Sequence, residues 1–397
     1  MHVPDGFINA PVSAAAGLVA AGAVAVSLKG ARRELDERTA PLAGLVAAFI
    51  FAVQMLNFPV AAGTSGHLLG GALAAILVGP FTGVLCISVV LLMQGVLFAD
   101  GGLTALGVNI ADMAIVTTVV AYLAFRGLVK VLPRGRRSIT VASFVAALLS
   151  VPAAAVAFTL LYAVGGTTDV SLDKVAVAMV GVHVLIGIGE AAITALTVGA
   201  VIAVRPDLVY GARGLARPLK LRVGGELVDA QGAAEPVAAA RSHRKVRLAG
   251  LATSLVLAGV VSFYASSNPD GLEKVAQDKG IDKKTEDHAT ADSPLADYGV
   301  KDITDARVSV GLAGVIGVGA TVVAGSAVFW AVRRRRTTDA SPVALPEADA
   351  ASRAGGVPGA GVVSGAAAVP RADGAPKASA PGTRGAPGPA LPGTGDA

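Results

Sequence analysis

The chain begins with Met-His, a dipeptide whose own main chain can chelate a metal ion. The α-amine of Met1, the backbone nitrogen of His2 and the imidazole Nδ1 of His2 can all reach one ion. The amine and the backbone nitrogen close a five-membered ring with the metal. The backbone nitrogen and Nδ1 close a six-membered ring with it. Because the backbone nitrogen must become an anion, the ion must be a late transition metal and not Mg²⁺ or Ca²⁺, which prefer oxygen. Binding also requires the amine to lose a proton.

Three nitrogens in a plane leave one in-plane position, and a second imidazole would complete a square-planar N4 site. Such a site suits Ni(II) or Cu(II) and extends to low-spin Co(II). The candidate fourth ligand is His67, in the glycine-rich break "NFPVAAGTSGHLLGG" from Asn57 to Gly71. Histidine is costly inside long apolar runs and often marks a functional site there. On the residues alone, an exposed terminal His2 and a hydrogen-bonded interfacial His67 remain open alternatives.

The chelate needs Met1 to be retained, which the large second residue predicts. We expect the terminal loop to insert into the glycine-rich break, because glycines allow close backbone approach. The four glycines concerned are Gly63, Gly66, Gly70 and Gly71. Pro4 and Gly6 would let the first residues turn sharply into this cleft.

The composition of the chain indicates what kind of fold carries these metal-binding groups. Hydrophobic residues make up 53% of the 397-residue chain and charged residues only 15%, against about 25% charged in soluble domains. We therefore predict an all-α polytopic membrane protein. The third of its apolar segments is short for a full crossing, which is typical of a broken helix beside a binding site. Nine segments are predicted: 12–28, 42–60, 67–79, 82–98, 106–125, 138–164, 175–203, 246–265 and 308–332.

The placement of Lys and Arg predicts the orientation in the membrane. Basic residues follow the first, fifth, seventh and ninth segments, and these four groups share one side if every segment crosses. That side is then cytoplasmic, so the N-terminus and the loop before His67 face outward across the plasma membrane. The same pattern explains the net charge of +5 without a nucleic-acid partner. Cys86 is the single cysteine, which excludes an internal disulfide or a CxxC metal site.

Four regions follow from the segments. Residues 1–204 form a seven-helix transmembrane bundle, and residues 205–245 form a basic cytoplasmic linker. Residues 246–336 form a transmembrane hairpin whose external loop is acidic, either simply solvated or able to attract and hand over cations. Residues 337–397, rich in Ala, Pro and Gly, are predicted to be a disordered cytoplasmic tail.

Further polar residues lie in the apolar runs or the break. His183 and Glu190 are seven residues apart and share one helix face, so both can face the bundle interior. Together with Asn57 and Ser65 they are candidates for a second layer around the metal, although simple structural hydrogen bonding is the open alternative. Residues 100–102, Asp-Gly-Gly, predict an external turn.

Parts of the sequence are also compatible with two other functions. "GTSG", ending at Gly66, matches a nucleophile motif of intramembrane serine proteases, in which Ser65 would attack and His183 would act as base. It leaves Met1 and His2 unexplained, and replacing Ser65 with Ala would distinguish the readings. The second alternative is a passive metal channel or a secondary transporter.

Four separated stretches together resemble the CbiM/NikM family, the cobalt or nickel substrate-capture subunits of energy-coupling factor importers. They appear in the family's order and cover essentially all of residues 1–204. The stretches are "MHVPDGF" at 1–7, "FAVQMLNFPVAAGTSGHLLGG" at 51–71, "LFADGGLTALGVNI" at 97–110 and "HVLIGIGEAAITAL" at 183–196. The hairpin with "SSNPDGLEKVAQDKG" is similar to the PDGLE-type segment fused to some members, with a role like the CbiN/NikN subunit.

The resemblance implies that Co²⁺ or Ni²⁺ is held by the Met1 amine, the His2 amide and imidazole, and the His67 imidazole. It also implies a CbiQ-like coupling subunit and CbiO-like ATPase subunits, and a supply of metal for cobalamin synthesis or nickel enzymes. The chain has no G-x-x-x-x-G-K-[ST] phosphate loop, so ATP hydrolysis is expected in another polypeptide and this chain is expected not to be an enzyme.

Overall fold

The computed structural model describes residues 1–35, 40–61, 63–215, 220–223, 226–229 and 244–338. Nearly all of the predicted tail 337–397 and much of the predicted linker 205–245 lie outside these ranges. The main helices are α1 (Ala10–Glu34), α2 (Ala40–Gln54), α3 (Gly71–Val78), α4 (Pro80–Leu97), α5 (Leu106–Asn109), a π-helix (Ile110–Val116), α6 (Thr117–Val131), α7 (Arg136–Gly165), α8 (Leu172–Val204), α9 (Arg244–Gly259), α10 (Gly271–Lys279) and α11 (Ala306–Thr338).

Short elements connect these helices. Two antiparallel pairs occur in the described ranges, and short 3-10 helices fill several turns. The strands are β1 (Phe58–Pro59) with β2 (Ser65–Gly66), and β3 (Lys220–Val223) with β4 (Glu226–Asp229). The 3-10 helices are Pro206–Leu208, Tyr210–Leu215, Val261–Tyr264, Asp282–Lys284 and Ala296–Tyr298.

Seven helices in the described ranges are long and apolar enough to cross a membrane, which confirms the predicted all-α polytopic class. Five lie in the first region and two form the hairpin. The remaining two predicted segments are shorter in the structure: α2 has 15 residues and α3 has eight.

The break between α2 and α3 places a loop inside the bundle. Helix α3 begins only at Gly71, directly after Gly70, which has a left-handed conformation (φ +89°). The Glu190 carboxylate, on α8, accepts hydrogen bonds from the backbone nitrogens of Leu69 (2.6 Å) and Gly70 (3.1 Å). These bonds satisfy backbone groups that a continuous helix would otherwise satisfy itself, as irregular backbone at this depth requires.

The two ends of the bundle are built differently. At one end, the carboxylate of Glu34, the last residue of α1, accepts from the backbone nitrogens of Phe81 (3.2 Å) and Thr82 (2.7 Å) at the start of α4. At a rise of 1.5 Å per residue, the 25 residues of α1 span about 37 Å. The first nine residues therefore lie at the opposite end.

The helices of the hairpin pack directly against the bundle formed by residues 1–204. Helix α11 approaches α2 so closely that a Cβ added at Gly44 would lie 2.7 Å from the Ser326 hydroxyl. Gly317 is likewise in contact with the rings of Phe51 and Phe98. The loop that carries α10 is thus held over the end of the bundle where the N-terminus lies.

Candidate metal centre

The first residues of the chain are buried between loops. Met1 is 2% exposed, His2 8% and Val3 0%. The Asn109 side chain brackets Val3, because its oxygen accepts from the Val3 nitrogen (2.7 Å) and its amide nitrogen donates to the Val3 carbonyl (3.1 Å). The backbone nitrogen of Gly102 donates to the same carbonyl (2.9 Å). Three hydrogen bonds therefore hold the main chain of Val3 in place.

Asp5 continues this attachment to the loop after α4. Its carboxylate accepts from the backbone nitrogens of Leu103 (3.2 Å) and Thr104 (2.8 Å), and from the Thr104 hydroxyl (2.5 Å). A Cβ at Gly102 would overlap the backbone nitrogen of Asp5, and one at Gly101 would lie 3.2 Å from His2 Nδ1. Gly101 and Gly102, in the predicted external turn, let the terminus approach.

The expectation that the glycines of the break admit the terminus is wrong. A Cβ at Gly66 would meet Ile186, one at Gly70 would meet Ile50, and one at Gly71 would meet Thr117. Gly63 has open space around it. The atoms nearest to the missing Cβ at three of these glycines thus belong to helices α8, α2 and α6, which pack against the break there.

Met1 and His67 meet at the buried end of the terminal segment. The Met1 amine nitrogen lies 2.6 Å from His67 Nε2. His67 Nδ1 lies 3.0 Å from the carbonyl of its neighbour Leu68, so Nδ1 carries the proton and the Nε2 lone pair faces the amine. Two nitrogens at adjacent corners of a square-planar site lie about 2.9 Å apart when metal–nitrogen bonds are about 2.0–2.1 Å. The observed spacing is therefore close to what adjacent ligands need.

The His2 ring lies beside these groups. Its centroid is 5.2 Å from that of the His67 ring. Nδ1 of His2 is buried without a hydrogen-bond partner among the described residues, at 3.4 Å from Asp100 Oδ1. Burial lowers the pKa of His2 to about 4, outweighing the opposite effect of Asp100. The imidazole is therefore neutral at physiological pH, with a nitrogen whose bonding capacity is unused.

Asp270, from the hairpin, lies at the same point and was not among the predicted site residues. Its Oδ2 contacts the Met1 amine and lies 3.4 Å from His67 Nε2. Burial by itself would raise the pKa of the Asp270 carboxyl, but the amine and His67 hold that pKa well below its usual range. Asp270 is therefore a carboxylate at physiological pH. A negative charge thus lies against the amine.

Side chains alone do not form a metal site here. In the parts of the chain that the structure describes, no three His, Cys, Asp or Glu side chains are arranged to hold an ion. A metal bound at this point would therefore need main-chain nitrogens. The Met1 amine and the His2 amide are the donors of that kind that the sequence predicts.

The four other candidate residues have different positions. Glu190 holds the backbone that follows His67, as described above. His183 Nδ1 donates to the Met179 carbonyl (2.7 Å), and its ring lies against Gly271. Ser65 donates its hydroxyl proton to the Asn268 carbonyl (2.8 Å) and not to His183, which does not favour a Ser–His dyad.

Asn57 lines a cavity that leads to these groups. The cavity has a volume of about 800 Å³ and lies between the terminal segment, the loop after α4 and the hairpin. Its described lining contains Arg307 and a larger number of acidic residues, so a cation is favoured there. The acidic residues are Asp5, Asp100, Asp270, Glu273, Glu286, Asp287 and Asp297.

The chain is a multi-pass helical membrane protein in which a buried cluster of nitrogen donors lies at one end of the bundle, beside an acidic cavity. An acidic cavity of this kind attracts cations.

Comparison with known proteins identifies the family. Residues 2–208, just over half of the chain, match the sequence model of CbiM, described as the cobalt uptake substrate-specific transmembrane region. The chain belongs to this CbiM family. Residues 244–334 match the PDGLE domain.

Individual relatives are similar over the same region. A protein of Haloquadratum walsbyi assigned to metal transport is 38% identical over 53% of this chain and 94% of its own length. An Archaeoglobus fulgidus protein assigned as the fused nickel transport protein NikMN is 40% identical over 53% of this chain and 68% of its own. A crystal structure of a transition metal transporter is 28% identical with a TM-score of 0.46, covering 51% of this chain and 93% of that one.

Proposed function

We propose that this chain is the substrate-binding membrane component of an ATP-driven importer of Co²⁺ or Ni²⁺. In this proposal the ion is held by the Met1 amine, the amide nitrogen and Nδ1 of His2, and Nε2 of His67. The observation that supports it most is the 2.6 Å separation of the Met1 amine and His67 Nε2, with the His2 ring alongside. It requires the mature protein to carry a free amine on Met1.

The surroundings suit these roles. The neutral His2 ring has an unpartnered nitrogen, so an ion bound there replaces no existing hydrogen bond. The Leu68 carbonyl fixes the His67 tautomer with Nε2 available, as second-layer hydrogen bonds commonly do for metal-binding histidines. Glu190 holds the loop that carries His67, while Asn109 and Asp5 hold the terminal segment. These contacts support a terminal segment and a His67 loop that are held in place before an ion arrives.

The geometry of the site and the family description point to different metals. A planar set of four nitrogens with one amide anion favours nickel on geometric grounds. The family description names cobalt uptake, whereas one relative is assigned to nickel transport. We therefore keep both ions as substrates, and direct competition between them would decide.

The energy for import is proposed to come from other polypeptides. A CbiQ-like coupling subunit would bind the bundle, and CbiO-like ATPases would drive its reorientation so that the ion passes inward. The end of the bundle that holds Met1 and His67 would face the outside of the plasma membrane, because the basic loops follow the opposite ends of the helices. The membrane potential would then add to the inward driving force for a divalent cation.

Uptake in sealed vesicles tests this function. Vesicles containing the full chain with its coupling and ATPase partners should accumulate Co²⁺ or Ni²⁺ when ATP is supplied on the cytoplasmic side, and the same vesicles without ATP should not. Equal uptake with and without ATP would instead indicate a channel or a secondary transporter.

A further inference from the structure

Asp270 uses its two carboxylate oxygens in two directions. Oδ2 contacts the Met1 amine, whereas Oδ1 accepts a hydrogen bond from the backbone nitrogen of Glu273 (2.9 Å). The Glu273 carboxylate in turn accepts from the backbone nitrogen of Asp270 (2.9 Å), which completes a capping box at the start of α10. One side chain therefore joins the beginning of the chain to a helix 270 residues further on.

The segment before α10 is itself attached to the break that carries His67. The backbone nitrogen of Ser65 donates to the Pro269 carbonyl (2.9 Å), and the Ser65 hydroxyl donates to the Asn268 carbonyl. On the other side, Gly271 is so close to His183 and Ile186 that a Cβ there would be 3.1 Å from the His183 ring. Asp270 is thus held rigidly, with 8% of its surface exposed, and its position relative to His67 is fixed.

No residue precedes the Met1 amine, so the main chain does not fix the orientation of this group. Met1 can rotate its amine about the N–Cα and Cα–C bonds, and the amine must point at the ion for the five-membered ring to close. Among the described contacts of the amine, one is to His67 Nε2 and the other is to Asp270. His67 would itself turn to the ion on binding, so Asp270 is the contact that persists. A metal-bound amine retains two N–H groups and can still donate to a carboxylate.

We propose that Asp270 is the positioning residue of the metal site, which holds the Met1 amine at the corner beside His67 both before and after the ion binds. The inference rests on the proposed function and deepens it, because the PDGLE segment then supplies part of the binding site of the CbiM region. On binding, the ammonium group and the His2 amide would each release one proton to water in the cavity. The ion would then be held by these two nitrogens and by the two imidazole nitrogens, without change of oxidation state.

The charge at the site is the same in both states. Before binding, the ammonium group carries one positive charge; afterwards, the doubly charged ion and the amide anion together also carry one. The attraction between this site and the Asp270 carboxylate therefore changes little on binding. The effect of Asp270 comes from orientation of the amine, as with the outer carboxylates that orient metal-bound histidines.

The test compares three single variants of the full chain, purified with an intact N-terminus, by titration with Ni²⁺ and with Co²⁺. Asp270→Asn retains a side-chain oxygen to cap α10 but loses the ionic contact with the amine, and we expect affinity to fall about 10- to 100-fold. As controls, Asp278→Asn and Asp282→Asn each remove one charge from an exposed position, on α10 and on the short helix that follows it. Both controls should bind within about threefold of the unaltered chain.

A second measurement separates orientation of the amine from a purely structural role. The melting temperature of the metal-free chain is measured with Asp270→Asn in the native chain and in a chain carrying two extra residues before Met1. The substitution should lower the melting temperature in the native chain and have little additional effect in the extended chain, because the amine contact is already lost there.

The inference is overturned if Asp270→Asn binds metal like the unaltered chain, if either control weakens binding as much as Asp270→Asn does, or if the melting temperatures fall equally in both backgrounds. These results would leave the proposed function intact, provided that the unaltered chain binds metal and the extended chain does not. A native chain that binds neither ion would overturn both.

Discussion

The amine nitrogen of Met1 and Nε2 of His67 lie 2.6 Å apart, although 66 positions separate the two residues in the chain. Neither residue lies in a helix. Met1 is carried there by a segment held at Val3 and Asp5, and His67 by a loop held by Glu190. The contact is therefore the result of loops fixed in place by hydrogen bonds, which is why its parts can be tested one at a time.

Replacing His67 with Ala should weaken binding of Ni²⁺ and Co²⁺ by more than about 100-fold, because it removes one of four proposed ligands, and even second-layer changes cost 10–100-fold. His288→Ala is the matched control. His288 lines the same cavity, but its Nε2 bonds the Gly101 carbonyl (3.1 Å) and faces no proposed ligand. Isothermal titration of both variants checks this, and equal losses would argue against a ligand role for His67.

Gly102→Ala should abolish high-affinity binding without unfolding the bundle. The added Cβ would overlap the backbone nitrogen of Asp5 and so displace the terminal segment from its groove. Gly181→Ala, on α8, adds the same atom where nothing lies within 4 Å. It should bind metal normally and be slightly more stable, since Ala is a better helix former than Gly. Metal content after purification gives the comparison.

Glu190→Gln should reduce both metal affinity and thermal stability. It replaces one of the two oxygens that accept from the loop behind His67 with an amide nitrogen, which cannot accept. A buried backbone N–H then loses its partner, at a cost of about 1–3 kcal/mol. A loss of about tenfold or more in affinity is expected. Asp112→Asn makes the same change at a buried carboxyl whose oxygens have no hydrogen-bond partner among the described residues. That variant should bind metal within about threefold of the unaltered chain, and a greater loss there than in Glu190→Gln would contradict the assignment.

The His2 ring should stay neutral in the metal-free protein until the pH falls to about 4, because burial lowers its pKa from 6.5. The unfolded chain binds this proton more readily than the folded chain. Acidification from pH 6.5 to 4 should therefore decrease the free energy of unfolding, while the ring makes no pH-dependent contribution above that range. NMR titration of ring-labelled histidine would follow His2 directly. A transition near pH 6.5 would show that the ring is exposed.

The sequence predicts the helices well because each needs an apolar run of a certain length. The pattern even locates the break before α3, although it counts residues 67–70 as part of a helix. They are a loop because Glu190 supplies the bonds that a helix would have made. Sequence periodicity places Glu190 and His183 on one face of α8, but it does not show that only Glu190 reaches the loop.

Asp270 was beyond sequence reasoning for a different reason. The Asp-Gly-Leu-Glu run has the spacing of a capping box, so the start of α10 at Asp270 could have been predicted. Nothing local shows that this helix docks on the loop of Ser65, because that contact depends on how the hairpin packs against α2. The misassigned glycines have the same origin, since a glycine indicates close approach without naming the element that approaches.

The most direct test of the proposed metal site is metal analysis of the full chain carrying two extra residues before Met1, beside the native chain with its N-terminus verified by sequencing. A single extra residue would not serve, because the new amine, two amide nitrogens and the imidazole of His2 could form a planar four-nitrogen site of their own. The extension converts the Met1 amine into an amide and breaks the five-membered ring, while the helices keep their sequence. We expect the native chain to retain close to one Ni²⁺ or Co²⁺ per molecule and the extended chain to retain almost none. Equal metal retention by two equally folded chains would contradict the account.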